Sequence, residues 1–200
     1  MRIASLVLAA AASAALVSTA SAASLSWVVI TPSAAAVAAD PTLAGFTTYS
    51  LQIALDADER FQGINVFATV DGGTIYQNAA GGVSEPNPAF FAFVPALEFD
   101  TYVASPDPTN TIAVAGGFTG TINTPSPIIT ASTFGVAAGQ PGAPLGLGGE
   151  VLRVTASAVP SFVNSVVTAT DVFLPIPAIP EPTSLAALGL AGLGLVRRRK

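Results

Sequence analysis

Residues 49–55 read YSLQIAL and residues 64–70 read INVFATV. In the first, Tyr49, Leu51, Ile53 and Leu55 alternate with Ser50, Gln52 and Ala54; in the second, Ile64, Val66, Ala68 and Val70 alternate after Gly63. Successive side chains of a strand point to opposite faces, so a period of two with apolar, often β-branched residues marks a half-buried strand. The rest of the middle of the chain follows suit. Residues 25–30 are β-rich, Asp71-Gly72 is a turn into 74–76, and further strands are expected at 90–94, 97–103, 111–115, 133–137, 151–158 and 165–174. Loops fall at 105–110, 124–127 and 139–149, with no internal repeat and no long amphipathic helix. Eight to ten short strands predict an all-β domain over residues 23–174, a β-sandwich or jelly roll.

Charge narrows the function. A tenth of the 200 residues are charged. Between residues 23 and 182 the only basic residues are Arg60 and Arg153, against all twelve acidic ones, for a net charge of −10. A field of that sign repels nucleic acid and anionic lipid. The chain has neither histidine nor cysteine. Disulfides, thiolate metal sites, cysteine nucleophiles and a serine triad with its histidine are therefore all excluded. No cofactor and no enzymatic activity are expected.

Both ends read as addresses. Met1-Arg2 opens a short positive region, residues 3–17 are apolar, and Ala20-Ser21-Ala22 places small residues at the minus-three and minus-one positions. That is the three-part pattern of a secretory signal peptide over residues 1–22, cut by signal peptidase after Ala22, with a cut after Ala23 nearly as good. At the other end, residues 175–182 hold four prolines in eight positions and predict a stiff, exposed linker. Residues 183–196 are an uncharged run of mainly Ala, Leu and Gly, and Arg197, Arg198, Arg199 and Lys200 follow. Fourteen helical residues span roughly 21 Å, short of a ~30 Å hydrocarbon core. A short transmembrane helix is expected, its basic end at 197–200 cytoplasmic.

Pro180-Glu181-Pro182, the short apolar span and the terminal cations, together with a signal peptide, resemble the PEP-CTERM sorting signal of bacterial exported proteins. The resemblance covers residues 176–200. It implies recognition through Pro180, Glu181 and Pro182 by exosortase, a membrane-embedded protease that removes the tail. It further implies transient anchoring in the inner membrane, then release to the cell surface or an extracellular, exopolysaccharide-containing matrix. The domain between is then expected to be structural or adhesive. The alternative is a carbohydrate- or protein-binding module, with or without calcium assistance, since the alternating pair 49–55 and 64–70 resembles cohesin-like sandwiches at the level of fold.

Candidate chemistry inside the domain is sparse. Asp56, Asp58 and Glu59 form the densest acidic cluster and offer oxygen ligands to calcium, or simply a polar hairpin turn. Glu98 and Asp100 share one face of an expected strand, as a carboxylate pair for glycoside hydrolysis or, more plainly, as a solvent face. The fifteen aromatic residues concentrate at Phe90, Phe91 and Phe93, either core packing or a surface that stacks on sugar rings. The glycines of 139–149 lack the Lys-Ser/Thr of a phosphate loop.

Overall fold

The computed structural model describes residues 23–107, 112–122, 128–140 and 143–180. The expected signal peptide, Glu181, Pro182, the apolar span and the basic terminus lie outside these residues. Among the described residues, no helix is long and apolar enough to cross a membrane.

Among the described residues eleven strands are formed: β1 (Ser24–Ile30), β2 (Thr47–Ala54), β3 (Phe61–Thr69), β4 (Ile75–Asn78), β5 (Tyr102–Val103), β6 (Ala113–Ile122), β7 (Ile128–Gly139), β8 (Gly149–Ala156), β9 (Ser161–Phe162), β10 (Val166–Ala169) and β11 (Val172–Pro175). Their ladders are antiparallel. One sheet contains β1, β2 and β8, with the short β5 on the far side of β8. The other contains β6, β7, β3, β10 and β11, with β9 at one end of β3. They are joined at a corner: β4 pairs with β7 over four residues but touches β8 only through Ile75 opposite Ala156. The larger of two apolar clusters collects Leu51, Ile53, Val151, Leu152 and Val154 from the first sheet. From the second it takes Ile64, Val66, Phe134, Val136 and Val167. The all-β expectation is met by two antiparallel sheets that share this core.

Local sequence explains the pattern. In β3, Ile64, Val66 and Ala68 are buried while Asn65 and Phe67 face solvent, as the period of two requires. In β8 the alternation breaks, because Leu51 pairs with Leu152 but Gln52 pairs with Glu150. Val151 is the extra residue of a β-bulge, which lets both Val151 and Leu152 be fully buried.

Three expected strands are not single strands. Residues 165–174 split into the β10–β11 hairpin across a two-residue turn, where Thr170 and Asp171 have φ of 43° and 65°. Positive φ at both positions is the primed turn that matches strand twist. It is held by Thr170 Oγ1, which accepts from Arg60 N at 2.8 Å, and by Gln62 Oε1, which accepts from Asp171 N at 2.9 Å. Residues 90–94 and 97–103 also fail as strands. Pro88 and Pro95 each open a 3-10 turn, Pro88–Phe90 and Pro95–Phe99, because proline's fixed φ suits a first helical position and its missing N–H weakens a ladder. Only Tyr102–Val103 of the second run pairs, with Arg153 and Leu152.

The one α-helix of the described residues, α1 (Ala34–Ala39), was not expected from the sequence. Ser33 Oγ caps it by accepting from Ala36 N at 3.2 Å. Together with the 3-10 turn Pro41–Gly45 it covers a second apolar cluster of Ala36, Leu43, Tyr76, Ala96 and Phe99.

The expected exposed linker is instead docked as far as residue 179. Pro175 closes β11, Ile176 and Ile179 are buried, and Trp27 Nε1 donates to Pro177 O at 2.8 Å. Two isoleucines in the proline run supply the apolar surface that makes docking favourable. Pro180, where the described residues end, is exposed.

Close approach of β3 to β7 generates a stability prediction. A Cβ built on Gly63 would lie 2.5 Å from Ala138 O, a backbone atom that cannot step aside, whereas one on Gly45 meets nothing within 4 Å. Gly63→Ala is expected to cost about 1–3 kcal/mol in urea unfolding. Gly45→Ala should stay within about 0.5 kcal/mol of wild type.

Candidate functional site

Four buried polar side chains are linked where α1, β4 and the Pro95–Phe99 turn meet. Asp40 ends α1 and caps the following 3-10 turn, with Oδ1 accepting from Thr42 N at 3.1 Å and from Thr42 Oγ1 at 2.7 Å. Its Oδ2 accepts from Tyr76 Oη at 2.7 Å, and Asn78 Nδ2 donates to the same phenol oxygen at 3.1 Å. Asn78 N donates to Asp100 Oδ1 at 2.8 Å. Burial, and then the Asp40 carboxylate, hold the Tyr76 phenol well above its ordinary range. It is a fixed hydrogen-bond donor here and no acid.

Asp100 is fully buried, which corrects the expectation of a solvent face shared with Glu98. Besides Asn78 N, its carboxyl accepts from Thr101 N at 2.9 Å, from Gln77 Nε2 at 3.3 Å and from the backbone of Gly82. A Cβ on Gly81 would fall on Asp100 Oδ2, so only glycine lets the turn after β4 close over the carboxyl. Burial pushes the Asp100 carboxyl up to about 7 even though these four N–H donors pull it down. Glu98 lies on the 3-10 turn as an exposed residue, and its backbone oxygen accepts from Arg153 Nη1. The two carboxyls do not face one cleft, and the expected pair for glycoside hydrolysis is not formed.

Above the Asp40–Tyr76–Asn78 chain lies a hollow of about 510 Å³, lined by Ala39, Asp40, Asn78, Ala80, Phe93 and Val94, among others. Phe93 stands at 83 % exposure and Phe90 at 55 %, with Phe91 half-buried. Core packing therefore does not explain Phe90 and Phe93.

The acidic turn is organised around Glu59. Its Oε2 accepts from Asp56 N at 2.8 Å and its Oε1 from Ala23 N at 3.0 Å, while Glu59 N donates to Asp56 O at 3.0 Å. Among the described residues, no three acidic side chains converge on a metal position. The calcium expectation at Asp56, Asp58 and Glu59 gains no geometry from the fold. Arg153 is engaged as well. It makes a bidentate pair with Glu150, both contacts 2.7 Å, and lies 5.3 Å over the Tyr102 ring.

Sequence reasoning brought none of Asp40, Tyr76, Gln77 and Asn78 forward. Asp40-Pro41, an acidic cap before a proline, was the one available signal, and it indicates a helix start rather than a site.

Residues 178–200 match the family model of the PEP-CTERM protein-sorting motif. No curated protein and no solved structure matches the chain. A tail of this kind belongs to proteins that are exported and sorted to the cell surface or extracellular space, with exosortase processing. Of the motif's own residues Pro180 is described, and it is exposed.

Asp100 sets a pH dependence. Its folded-state value is raised above the usual carboxylate range, so the stability tied to its protonated form is complete below about pH 4 and is lost as pH rises through about 7. The urea midpoint is expected to fall across that window, and Asp100→Asn should lack this component. Identical pH profiles for the two proteins would contradict the assignment.

Proposed function

We propose that this chain is a non-enzymatic exported protein of the bacterial cell surface or extracellular matrix, sorted and processed by exosortase through its tail. The observation that carries the reading is the sorting-motif match at residues 178–200. In this reading residues 1–22 direct export and are removed by signal peptidase. Residues 183–196 then hold the protein in the inner membrane, with Arg197, Arg198, Arg199 and Lys200 on the cytoplasmic side. Exosortase cuts near Pro180, Glu181 and Pro182, and the β domain is delivered as a structural or adhesive module.

What supports the domain's part is the state of its polar groups. Asp40, Asp100, Glu59 and Glu150 each accept hydrogen bonds from the protein itself. Such groups serve to fix the fold, whereas acid–base work requires one within reach of a substrate proton. Docking of Ile176 and Ile179 supports the tail's part, since it brings the domain wall up to the motif and leaves Pro180 outside.

A second reading, carbohydrate binding, is favoured by one observation: Phe93, 83 % exposed, beside the hollow above Asp40 and Asn78. An exposed ring next to amide and carboxylate groups matches the two faces of a sugar, apolar C–H and hydroxyl. Its test is retention on polysaccharide columns, which Phe93→Ala should abolish while thermal stability is unchanged; equal retention of both proteins removes it.

The sorting reading predicts that Glu181→Ala, made in a host with active exosortase, leaves the protein in the membrane fraction. Wild type should be found at the surface or in the medium. Equal release of both would argue that the motif is not what the protease reads.

A further inference from the structure

Ala23 occupies an unusual place for a residue at the edge of a domain. It is 8 % exposed and belongs to the apolar core, immediately before β1 enters its ladder with Ser24 opposite Ala54. Its backbone nitrogen lies 3.0 Å from Glu59 Oε1, in a partly buried setting. The carboxylate is held on its other oxygen by Asp56 N at 2.8 Å, and the turn is closed by Glu59 N to Asp56 O and by Gly146 N to Glu59 O at 2.7 Å. Glu59 thus holds the nitrogen of residue 23 on one carboxylate oxygen and the Asp56 N–H on the other.

We propose that export cleavage falls at the Ala22–Ala23 bond, and that the α-ammonium it creates is the resident cation of the Asp56–Glu59 turn. The inference rests on the export reading above, which ends the leader at residue 22, and adds the binding site of the new amine. Hydrolysis adds water across the peptide bond: Ala22 leaves with the carboxylate, and Ala23 keeps an amine that takes up a proton. An α-amino group with an ordinary value near 8 is charged at neutral pH. The amide-to-carboxylate hydrogen bond therefore becomes an ammonium–carboxylate pair, in which both partners are charged. A cut one residue later would remove Ala23 from the core, move the amine to Ser24 and leave Glu59 Oε1 without this donor. Processing at the earlier bond thus completes a contact that anchors β1, the edge strand of the first sheet. It also gives the densest acidic cluster of the chain a counter-ion without a metal.

Composition makes the test clean. Lys200 is the chain's only lysine, so a domain that has lost its tail has a single amine. Protein recovered after export from its native host would have its N-terminus mapped by mass. It would then be treated with an acetylating N-hydroxysuccinimide ester at neutral pH, native and in urea, beside Glu59→Gln; peptide mapping separates Lys200 where the tail is retained. The expected result is an N-terminus at Ala23 whose amine reacts several-fold more slowly in the native protein than in urea or in Glu59→Gln. Acetylation and Glu59→Gln should each lower the thermal midpoint by about 2–4 °C, and together by no more than either alone, since they remove one interaction. An N-terminus at Ser24, native reactivity equal to that in urea, or additive effects would overturn the inference while leaving export intact. A chain that still begins at Met1 would overturn the export reading as well. If Glu59→Gln does not accumulate, the native-against-urea rates on wild type alone decide.

Discussion

Hydrogen bonding along β7 is the constraint on which the rest of the fold depends. This strand, Ile128–Gly139, pairs with β6 over almost its whole length on one side. On the other it pairs with β4 through its first residues and with β3 through the remainder. Because β4 also reaches Ala156 of β8, the same strand fixes where the second sheet meets the first. Phe134 and Val136 of β7 are buried in the core that both sheets close. A ladder of this length commits the backbone N–H and C=O groups of three neighbouring strands. Its register therefore decides the register of its neighbours.

With so few charges, the domain stabilises its turns in a particular way. Carboxylates are set against backbone N–H groups rather than against lysine or arginine: Asp40 on Thr42, Glu59 on Asp56 and Ala23, Asp100 on Asn78 and Thr101. Arg153 is the exception, clamped by Glu150 and covering Tyr102. Each such carboxylate ties together segments distant in sequence. Loops over a β core are held in this way, where hydrophobic burial alone would leave their backbone groups unsatisfied. The same habit explains how an acidic chain stays compact despite its net repulsion. Asp40 and Asp100 are met locally by oriented N–H dipoles.

The alternation in residues 49–55 and 64–70 was sufficient to place β2 and β3, since each has one face in the shared core and a one-residue slip would bury Asn65 and expose Val66. Residues 90–94 and 97–103 misled for the opposite reason. Their apolar content is strand-like, but Pro88 and Pro95 dictate 3-10 turns, and two of the aromatic side chains, Phe90 and Phe93, end up in solvent. The break at Thr170-Asp171 carried no glycine or asparagine to announce it; tertiary contacts to Arg60 and Gln62 hold a turn that local chemistry does not favour. The buried Asp100 was illegible for a related reason. Nothing in one acidic residue among apolar neighbours says whether N–H donors from β4 and the turn after it will converge on it, beside that of Thr101. The sorting tail, by contrast, is short and linear, and its reading requires no folding at all. That is why residues 178–200 were recognisable in a chain whose domain matches nothing else.

The central claim is that this β domain is cargo, detached from a tail that serves only to deliver it. Intact mass of the protein from its native host, with and without a functional exosortase, tests that claim most directly. The account predicts a species lacking both residues 1–22 and the tail beyond the Pro180–Pro182 motif when the protease is present, and a species that keeps its tail when it is absent. A protein that ends at Lys200 in both strains would contradict it, because the tail would then be a permanent anchor.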